Sequence, residues 1–110
     1  MDDLKRFFIN GKWVLPNSKK GFPVIDPSNE QVIGEIILGN SQDVEKAVSA
    51  AKNAFKIFSK TSKEERLELL QRLLLIMEKR FEDLAQAITK EMGSPITFSR
   101  DSQADSGVGH

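Results

Sequence analysis

The fold is decided by residues 62–93, which read SKEERLELLQRLLLIMEKRFEDLAQAITKEMG. Ser62 and Glu65 form a capping box, in which each side chain can accept a hydrogen bond from the backbone N–H of the other residue. Gly93 is a typical residue for ending a helix. Between these signals, apolar side chains recur three and four residues apart: Leu70, Leu73, Leu74, Met77, Phe81, Leu84, Ala85, Ile88 and Met92. This spacing predicts an amphipathic helix over residues 63–92.

The predicted helix is long for so short a chain. At 1.5 Å per residue it would extend roughly 45 Å, more than a compact domain of this size covers comfortably. We therefore expect either a break near residues 80–83 or a helix that extends across a larger structure.

Two β-hairpins are predicted over residues 7–38, before the helices. Asn10-Gly11 is the preferred pair for a two-residue hairpin turn, because both positions need a positive φ. The run Pro27-Ser28-Asn29-Glu30 is rich in turn-forming residues and separates two further extended segments. Trp13, with the phenylalanines of the first hairpin, is expected to pack on a sheet or a partner, or to offer a stacking platform.

A shorter amphipathic helix is predicted over residues 41–60. Asn40 can cap it, and Asp43 is favourable in its first turn. Its apolar residues again recur at helical spacing: Val44, Ala47, Val48, Ala51, Phe55 and Phe58. Residues 94–110 are rich in Ser, Asp and Gly, and we expect them to form a frayed tail.

Composition excludes several classes of function. The 110 residues carry 16 basic and 16 acidic side chains, so no net field favours nucleic acid or an anionic membrane. The length predicts one domain at most. No apolar run approaches a membrane span or a signal-peptide core, so we expect a soluble, cytoplasmic protein without nucleic-acid or membrane partners.

Catalytic and cofactor motifs are missing from these residues. There is no cysteine, and the single histidine, His110, is the last residue. Serine catalysis needs a rigidly held base, which a terminal histidine does not provide. The seven glycines form no phosphate-binding loop. We therefore predict no catalytic residue and no cofactor-binding residue in this chain.

An ordered series of motifs nevertheless resembles the N-terminus of the NAD(P)-dependent aldehyde dehydrogenase superfamily. It consists of residues 8–14 (FINGKWV), 22–34 (FPVIDPSNEQVIG) and 43–55 (DVEKAVSAAKNAF), then Arg66, Leu69 and Leu70, and finally 91–95 (EMGSP). The likeness covers about residues 7 to 98. It implies an α/β fold in which this chain is the N-terminal part of a nucleotide-binding domain.

The resemblance also implies the chemistry of a parent enzyme. In that family a cysteine thiolate attacks an aldehyde, hydride passes to NAD or NADP, and water hydrolyses the thioester to a carboxylic acid. The coenzyme loop, the cysteine and the general-base glutamate all come later in the family's sequence. We therefore expect this chain alone to be inactive and to bind no coenzyme, and its partners to be the remainder of the enzyme or neighbouring subunits of a homo-oligomer.

One family site falls inside these residues. Some members bind a monovalent cation through backbone oxygens just before the Asp-Pro turn and through a carboxylate at the end of the second helix. These positions correspond to Val24, Ile25 and Glu91, where the family often has Asp in place of the last. Oxygen ligands suit such an ion.

A second hypothesis comes from a different class of function. The apolar stripe of residues 63–92 is long for so small a chain, and an uncovered stripe would expose an apolar patch. The chain is then a non-catalytic module that binds a partner or self-associates through this stripe.

Overall fold

A computed structural model describes residues 4–110. The described chain divides into two compact units. Unit 1 consists of the described residues up to Val24 and of Val32–Thr61. Unit 2 consists of Ile25–Gln31 and Ser62–His110. Among residues 4–110, only Ala85 and Ala104, both in unit 2, are buried apolar residues, so the core is thin.

Two antiparallel hairpins open the fold, as the sequence predicts. Strands β1 (Phe7–Ile9) and β2 (Lys12–Val14) pair with Phe8 opposite Trp13. The turn residues Asn10 and Gly11 have φ of 54° and 75°, the positive values that this turn needs. The rings of Phe8 and Trp13 pack edge to face with centroids 5.2 Å apart, so the two aromatic residues contact each other across the hairpin.

The second hairpin pairs β3 (Gly21–Asp26) with β4 (Gln31–Ile37). Its turn is held by the Asp26 side chain, which accepts hydrogen bonds from Ser28 N at 2.8 Å and Ser28 Oγ at 2.6 Å. Glu30 N also donates to the Asp26 carbonyl at 2.8 Å. The turn-forming residues of the sequence thus act through their side chains as well as their backbone.

Helix α1 spans Ser41–Phe58, two residues shorter than the predicted 41–60. Its first turn has a reciprocal capping box, in which Asp43 N donates to Asn40 Oδ1 at 3.1 Å and Asn40 N donates to Asp43 Oδ2 at 3.0 Å. Asn17 N and Ser18 N donate to the same carboxylate at 2.6 and 3.2 Å. This carboxylate therefore ties the loop before β3 to the start of α1.

The predicted second helix is broken into α2 (Lys63–Lys79) and α3 (Phe81–Met92). Arg80 leaves the helical conformation, with φ of −105° and ψ of 19°, inside the range where the length predicts a break. The capping box is present: Glu65 N donates to Ser62 Oγ at 3.1 Å, and Ser62 N donates to Glu65 Oε2 at 2.6 Å. Helix α3 ends at Met92 and is capped by Gly93, whose φ is 72°.

Residues 94–110 correct the prediction of a frayed tail. They continue as α4 (Ile96–Phe98), a π-helical segment (Ser99–Ala104) and α5 (Asp105–Gly109). This C-terminal helical segment packs on α3, and Ser99 and Ala104 are fully buried. Burial against α3 orders a stretch whose composition alone predicts disorder. No helix within residues 4–110 is long and apolar enough to cross a membrane.

Candidate functional site

The three predicted cation ligands lie at the ends of two elements. Val24 and Ile25 are in β3, and Glu91 is the next-to-last residue of α3. Ile25 and Glu91 belong to unit 2, whereas Val24 belongs to unit 1. The Glu91 side chain is exposed and forms no ion pair with residues 4–110. Its carboxylate oxygens are therefore available to a ligand.

Within unit 2, the turn after β3 lies against the end of α3. A Cβ added to Gly93 would lie 2.8 Å from Pro27 Cγ and 3.5 Å from Ser28 N. Glycine is needed here both for its positive φ and because Pro27 leaves no room for a side chain. This contact brings the turn that follows Ile25 to the helix end that carries Glu91.

Asp26 is the other carboxylate in this region, and its own turn occupies it. The Ser28 hydroxyl, and then the Ser28 backbone N–H, lower the pKa of Asp26 below its ordinary value of 3.8. The side chain is therefore ionised at neutral pH but already hydrogen-bonded. Glu91 is the better candidate for a cation ligand.

The donor set indicates what kind of ion would fit. Residues 4–110 contain no group of three or more His, Cys, Asp or Glu side chains that could hold a metal ion. Two backbone carbonyls and one carboxylate are hard oxygen donors that carry a single negative charge. Such a set fits a monovalent cation better than a catalytic divalent metal.

A partly buried chain of hydroxyl groups in unit 2 joins α3 to the segment that the sequence predicts to be a polar tail. Thr89 Oγ1 donates to Ser99 Oγ at 2.8 Å, Ser99 and Ser94 share a hydrogen bond of 2.7 Å, and Ser94 Oγ donates to Gln103 Oε1 at 3.0 Å. No imidazole or carboxylate takes part in this chain. The hydroxyls therefore have no base to activate them, and they order the fold rather than react.

An ion pair joins α3 to the π-helical segment beside this chain. Arg100 Nε and Nη2 donate to the two carboxylate oxygens of Glu82 at 2.8 and 2.6 Å, and Gln86 Nε2 donates to the same group at 2.8 Å. The Arg100 hydrogen bonds, followed by the Gln86 bond, lower the pKa of Glu82 from 4.5 to about 2. Because Arg100 binds both oxygens of the Glu82 carboxylate, this pair holds the start of the π-helical segment against α3.

Unit 1 has an open groove of about 310 Å³ between the first hairpin and α1. It is lined by Phe8, Ile9, Asn10 and Gly11 and by four alanines of α1, at positions 47, 50, 51 and 54. No charged or nucleophilic side chain lines it. The groove can bind apolar atoms but cannot catalyse a reaction.

His110, the single histidine, directly follows α5 and is exposed. The sequence contains no cysteine, so no thiol of this chain can pair with the His110 imidazole. That this chain holds no catalytic residue stays a prediction.

Comparison with known proteins identifies the family. The sequence model of the aldehyde dehydrogenase family matches residues 13–109. A 3-succinoylsemialdehyde-pyridine dehydrogenase from a Pseudomonas species is 41% identical over 111 residues, which cover 100% of this chain but only 23% of the relative. The chain thus spans less than a quarter of that relative's length and corresponds to its N-terminal part. These matches lend no support to a non-catalytic interaction module.

Solved structures give the same result. An aldehyde dehydrogenase from Bartonella henselae superimposes with a TM-score of 0.95 and 42% identity, over 96% of this chain and 22% of that protein. A mutant of aldehyde dehydrogenase C from Pseudomonas syringae, solved with NAD+ and octanal, superimposes with a TM-score of 0.93 and 36% identity. The match covers 94% of this chain and 21% of that protein. The predicted α/β fold of an aldehyde dehydrogenase is confirmed, and the chain belongs to the aldehyde dehydrogenase family.

Proposed function

We propose that these residues form the N-terminal part of the nucleotide-binding domain of an NAD(P)-dependent aldehyde dehydrogenase. The observation that carries the proposal is a family match over residues 13–109 to relatives more than four times as long as this chain. In the parent, a cysteine outside these residues would attack the aldehyde to form a thiohemiacetal. NAD or NADP would accept the hydride, and water would hydrolyse the resulting thioester to a carboxylic acid.

The role proposed for this section is to support the domain. Helix α2 has no buried residue, and Leu70, Leu73 and Leu75 are 62%, 51% and 64% exposed. So many exposed leucines on one helix are unfavourable in water, and removing them from water would stabilise the fold. We infer that the remainder of the parent enzyme covers α2.

The finer features of the parent are part of the same proposal. Solved relatives bound to NAD support a nicotinamide coenzyme, and NAD or NADP both fit the reaction. An aldehyde substrate, assembly into a homo-oligomer and a cytoplasmic location are carried over from the family. We propose that neither nucleic acid nor a membrane is a partner.

Activity and coenzyme binding of the isolated chain test this division of roles. We expect the purified chain to form no NADH or NADPH from any aldehyde, and calorimetry to detect no binding of NAD or NADP. A full-length relative, assayed in parallel, is the positive control. Turnover that survives rigorous purification and follows the chain through a final column would overturn the proposal.

We also propose a monovalent cation site formed by the Val24 and Ile25 carbonyls and the Glu91 carboxylate. The contact between Gly93 and Pro27 supports it, because it brings the helix end that carries Glu91 to the turn after β3. The ion would stabilise the folded chain, since binding to the folded state alone raises stability.

Replacing the carboxylate tests this site. Potassium chloride, compared with choline chloride at the same ionic strength, should raise the melting temperature of the native chain but not of Glu91→Gln. Glu68→Gln, at an exposed position of α2, is the matched control and should retain the rise. An equal rise in Glu91→Gln, or no rise in the native chain, would exclude the site.

A further inference from the structure

The π-helical segment Ser99–Ala104 interrupts an otherwise α-helical stretch, residues 96–109. Hydrogen bonds from i to i+5 are rare in proteins, and π-helices occur mostly as single turns held inside α-helices. An unsupported segment of this length would relax to the α-helical pattern. Contacts outside its own backbone must therefore stabilise it.

The burial pattern shows what the π-helical geometry achieves. Ser99 and Ala104, five residues apart, are both fully buried. In an α-helix, residues five apart point about 140° away from each other. The i to i+5 pattern brings them to about the same side. The π register therefore allows both residues to be buried at once.

The hydroxyl chain holds this register at Ser99, and its direction follows from counting protons. A serine or threonine hydroxyl has a single proton to donate. The Thr89 proton goes to Ser99, and the Ser94 proton goes to Gln103. The bond between Ser94 and Ser99 must therefore use the Ser99 proton. Ser99 therefore accepts a hydrogen bond from Thr89 of α3 and, through Ser94, is linked to the Gln103 side chain one turn further along its own helix.

A close contact downstream depends on the same register. A Cβ added to Gly107 would lie 2.9 Å from Met77 Cε, so Gly107 of α5 packs directly against the flexible end of the Met77 side chain of α2, which would have to shift to admit a Cβ. Rotation of α5 about its axis would replace Gly107 at this contact by a neighbour with a side chain. The orientation of α5 is therefore sensitive to any change of register between Ser99 and Gly107.

We propose that Ser99 is a positioning residue that locks residues 99–104 in the π-helical register. Without its two hydrogen bonds, the segment becomes α-helical. That change turns α5 by about 100° and removes Gly107 from Met77, because each residue of an α-helix accounts for this rotation. Ser99 therefore sets the orientation of the last helix covered by the family match.

Methyl NMR of the 110-residue chain tests the lock, with 13C in the methionine methyl groups. The native chain should show a nuclear Overhauser effect between the Met77 methyl and the Gly107 Hα protons. Ser99→Ala should lose it. Ser102→Ala, an exposed serine of the same segment whose side chain forms no hydrogen bond with residues 4–110, is the matched control and should retain it.

A second variant separates register from stability. A π-helical turn contains one residue more than the α-helical turn that would replace it. Deleting the exposed Asp101 from Ser99→Ala should therefore make the segment α-helical without turning α5, and the Met77–Gly107 signal should return. The proposal would be overturned if Ser99→Ala retained the Met77–Gly107 signal. It would also be overturned if the signal were absent from the Ser99→Ala variant that lacks Asp101. If Ser99→Ala itself unfolds, the variant that also lacks Asp101 still tests the proposal, because it should fold and show the Met77–Gly107 signal.

Discussion

The same capping box begins α1 and α2, but the two boxes differ in how far their contacts extend. At α2, the Ser62 and Glu65 side chains accept hydrogen bonds only from each other's backbone N–H within residues 4–110, and both residues are exposed. At α1, Asp43 is 5% exposed and also accepts hydrogen bonds from Asn17 and Ser18, 26 and 25 residues away. A local motif thus stabilises one helix end in α2, whereas in α1 it also joins parts of unit 1 that are distant in sequence.

The largest expected effect comes from neutralising the buried box. Asp43→Asn keeps the shape but replaces one oxygen by an NH2 group, which faces backbone donors instead of accepting from them. Glu65→Gln makes the same change in the exposed box, where water can satisfy the freed groups. Thermal unfolding followed by circular dichroism should show a much larger fall in melting temperature for Asp43→Asn. Equal falls would mean that the contacts to Asn17 and Ser18 contribute nothing.

Acid should distinguish native Asp43 from its neutral variant. Burial acts to raise the pKa of Asp43, but hydrogen bonds from Asn17, Asn40 and Ser18 outweigh it and hold the pKa below 3.8. A carboxyl with a lowered folded-state pKa stabilises the fold fully above its unfolded pKa, and the contribution is lost as the pH falls through the folded pKa.

The difference in melting temperature between the native chain and Asp43→Asn should therefore be constant from pH 7 to about 5 and shrink below about pH 4. Melting curves across this range give the measurement. A difference that grows as the pH falls would show that the sign of the pKa shift is wrong.

A smaller loss is expected at the exposed box. Ser62→Ala removes the hydroxyl that accepts from Glu65 N and should cost about 1 kcal/mol of unfolding free energy, a typical value for a lost N-cap. Ser41→Ala is the control, because Ser41 is exposed in the first turn of α1 and makes no side-chain hydrogen bond with residues 4–110. It should change stability by less than about 0.5 kcal/mol. Urea unfolding of both variants measures the two values.

The smallest effect is expected at the edge of the buried box. Asn17→Ala removes the acceptor of the 2.9 Å hydrogen bond from Asn40 Nδ2 but keeps the backbone N–H that binds Asp43. An exposed hydrogen bond between neutral groups contributes about 0.5 kcal/mol. A loss in urea unfolding as large as that of Asp43→Asn would place the stabilisation in the asparagine side chain rather than in the carboxylate.

Local signals in the sequence predicted much of the fold. The Ser62–Glu65 box, the Asn10-Gly11 turn and the Asn40 cap are patterns of neighbouring residues, and each is present. The length left two outcomes open, a break near residues 80–83 or a helix that extends across a larger structure, and the structure has the break at Arg80. The bonds from Asn17 and Ser18 to Asp43 could not be predicted, because contacts over 25 residues leave no periodic trace.

The helical structure of residues 96–109 was missed for a different reason. Its buried positions, Ser99 and Ala104, are five residues apart, and α-helical periodicity does not place them on one face. One of them is also polar, so it gives no signal of burial. For the predicted cation site, the structure brings the turn that follows Ile25 close to the end of α3, which carries Glu91. The binding of an ion there stays a prediction.

The most direct test of the central claim is a chimeric enzyme. Residues 1–110 would replace the corresponding segment of the Pseudomonas 3-succinoylsemialdehyde-pyridine dehydrogenase, which is 41% identical to them. If this section is the structural N-terminal part of an aldehyde dehydrogenase, the chimera should fold and form NADH at a rate within about tenfold of the unaltered enzyme, since the reacting groups are unchanged. A folded chimera that binds NAD but forms no NADH would contradict the account.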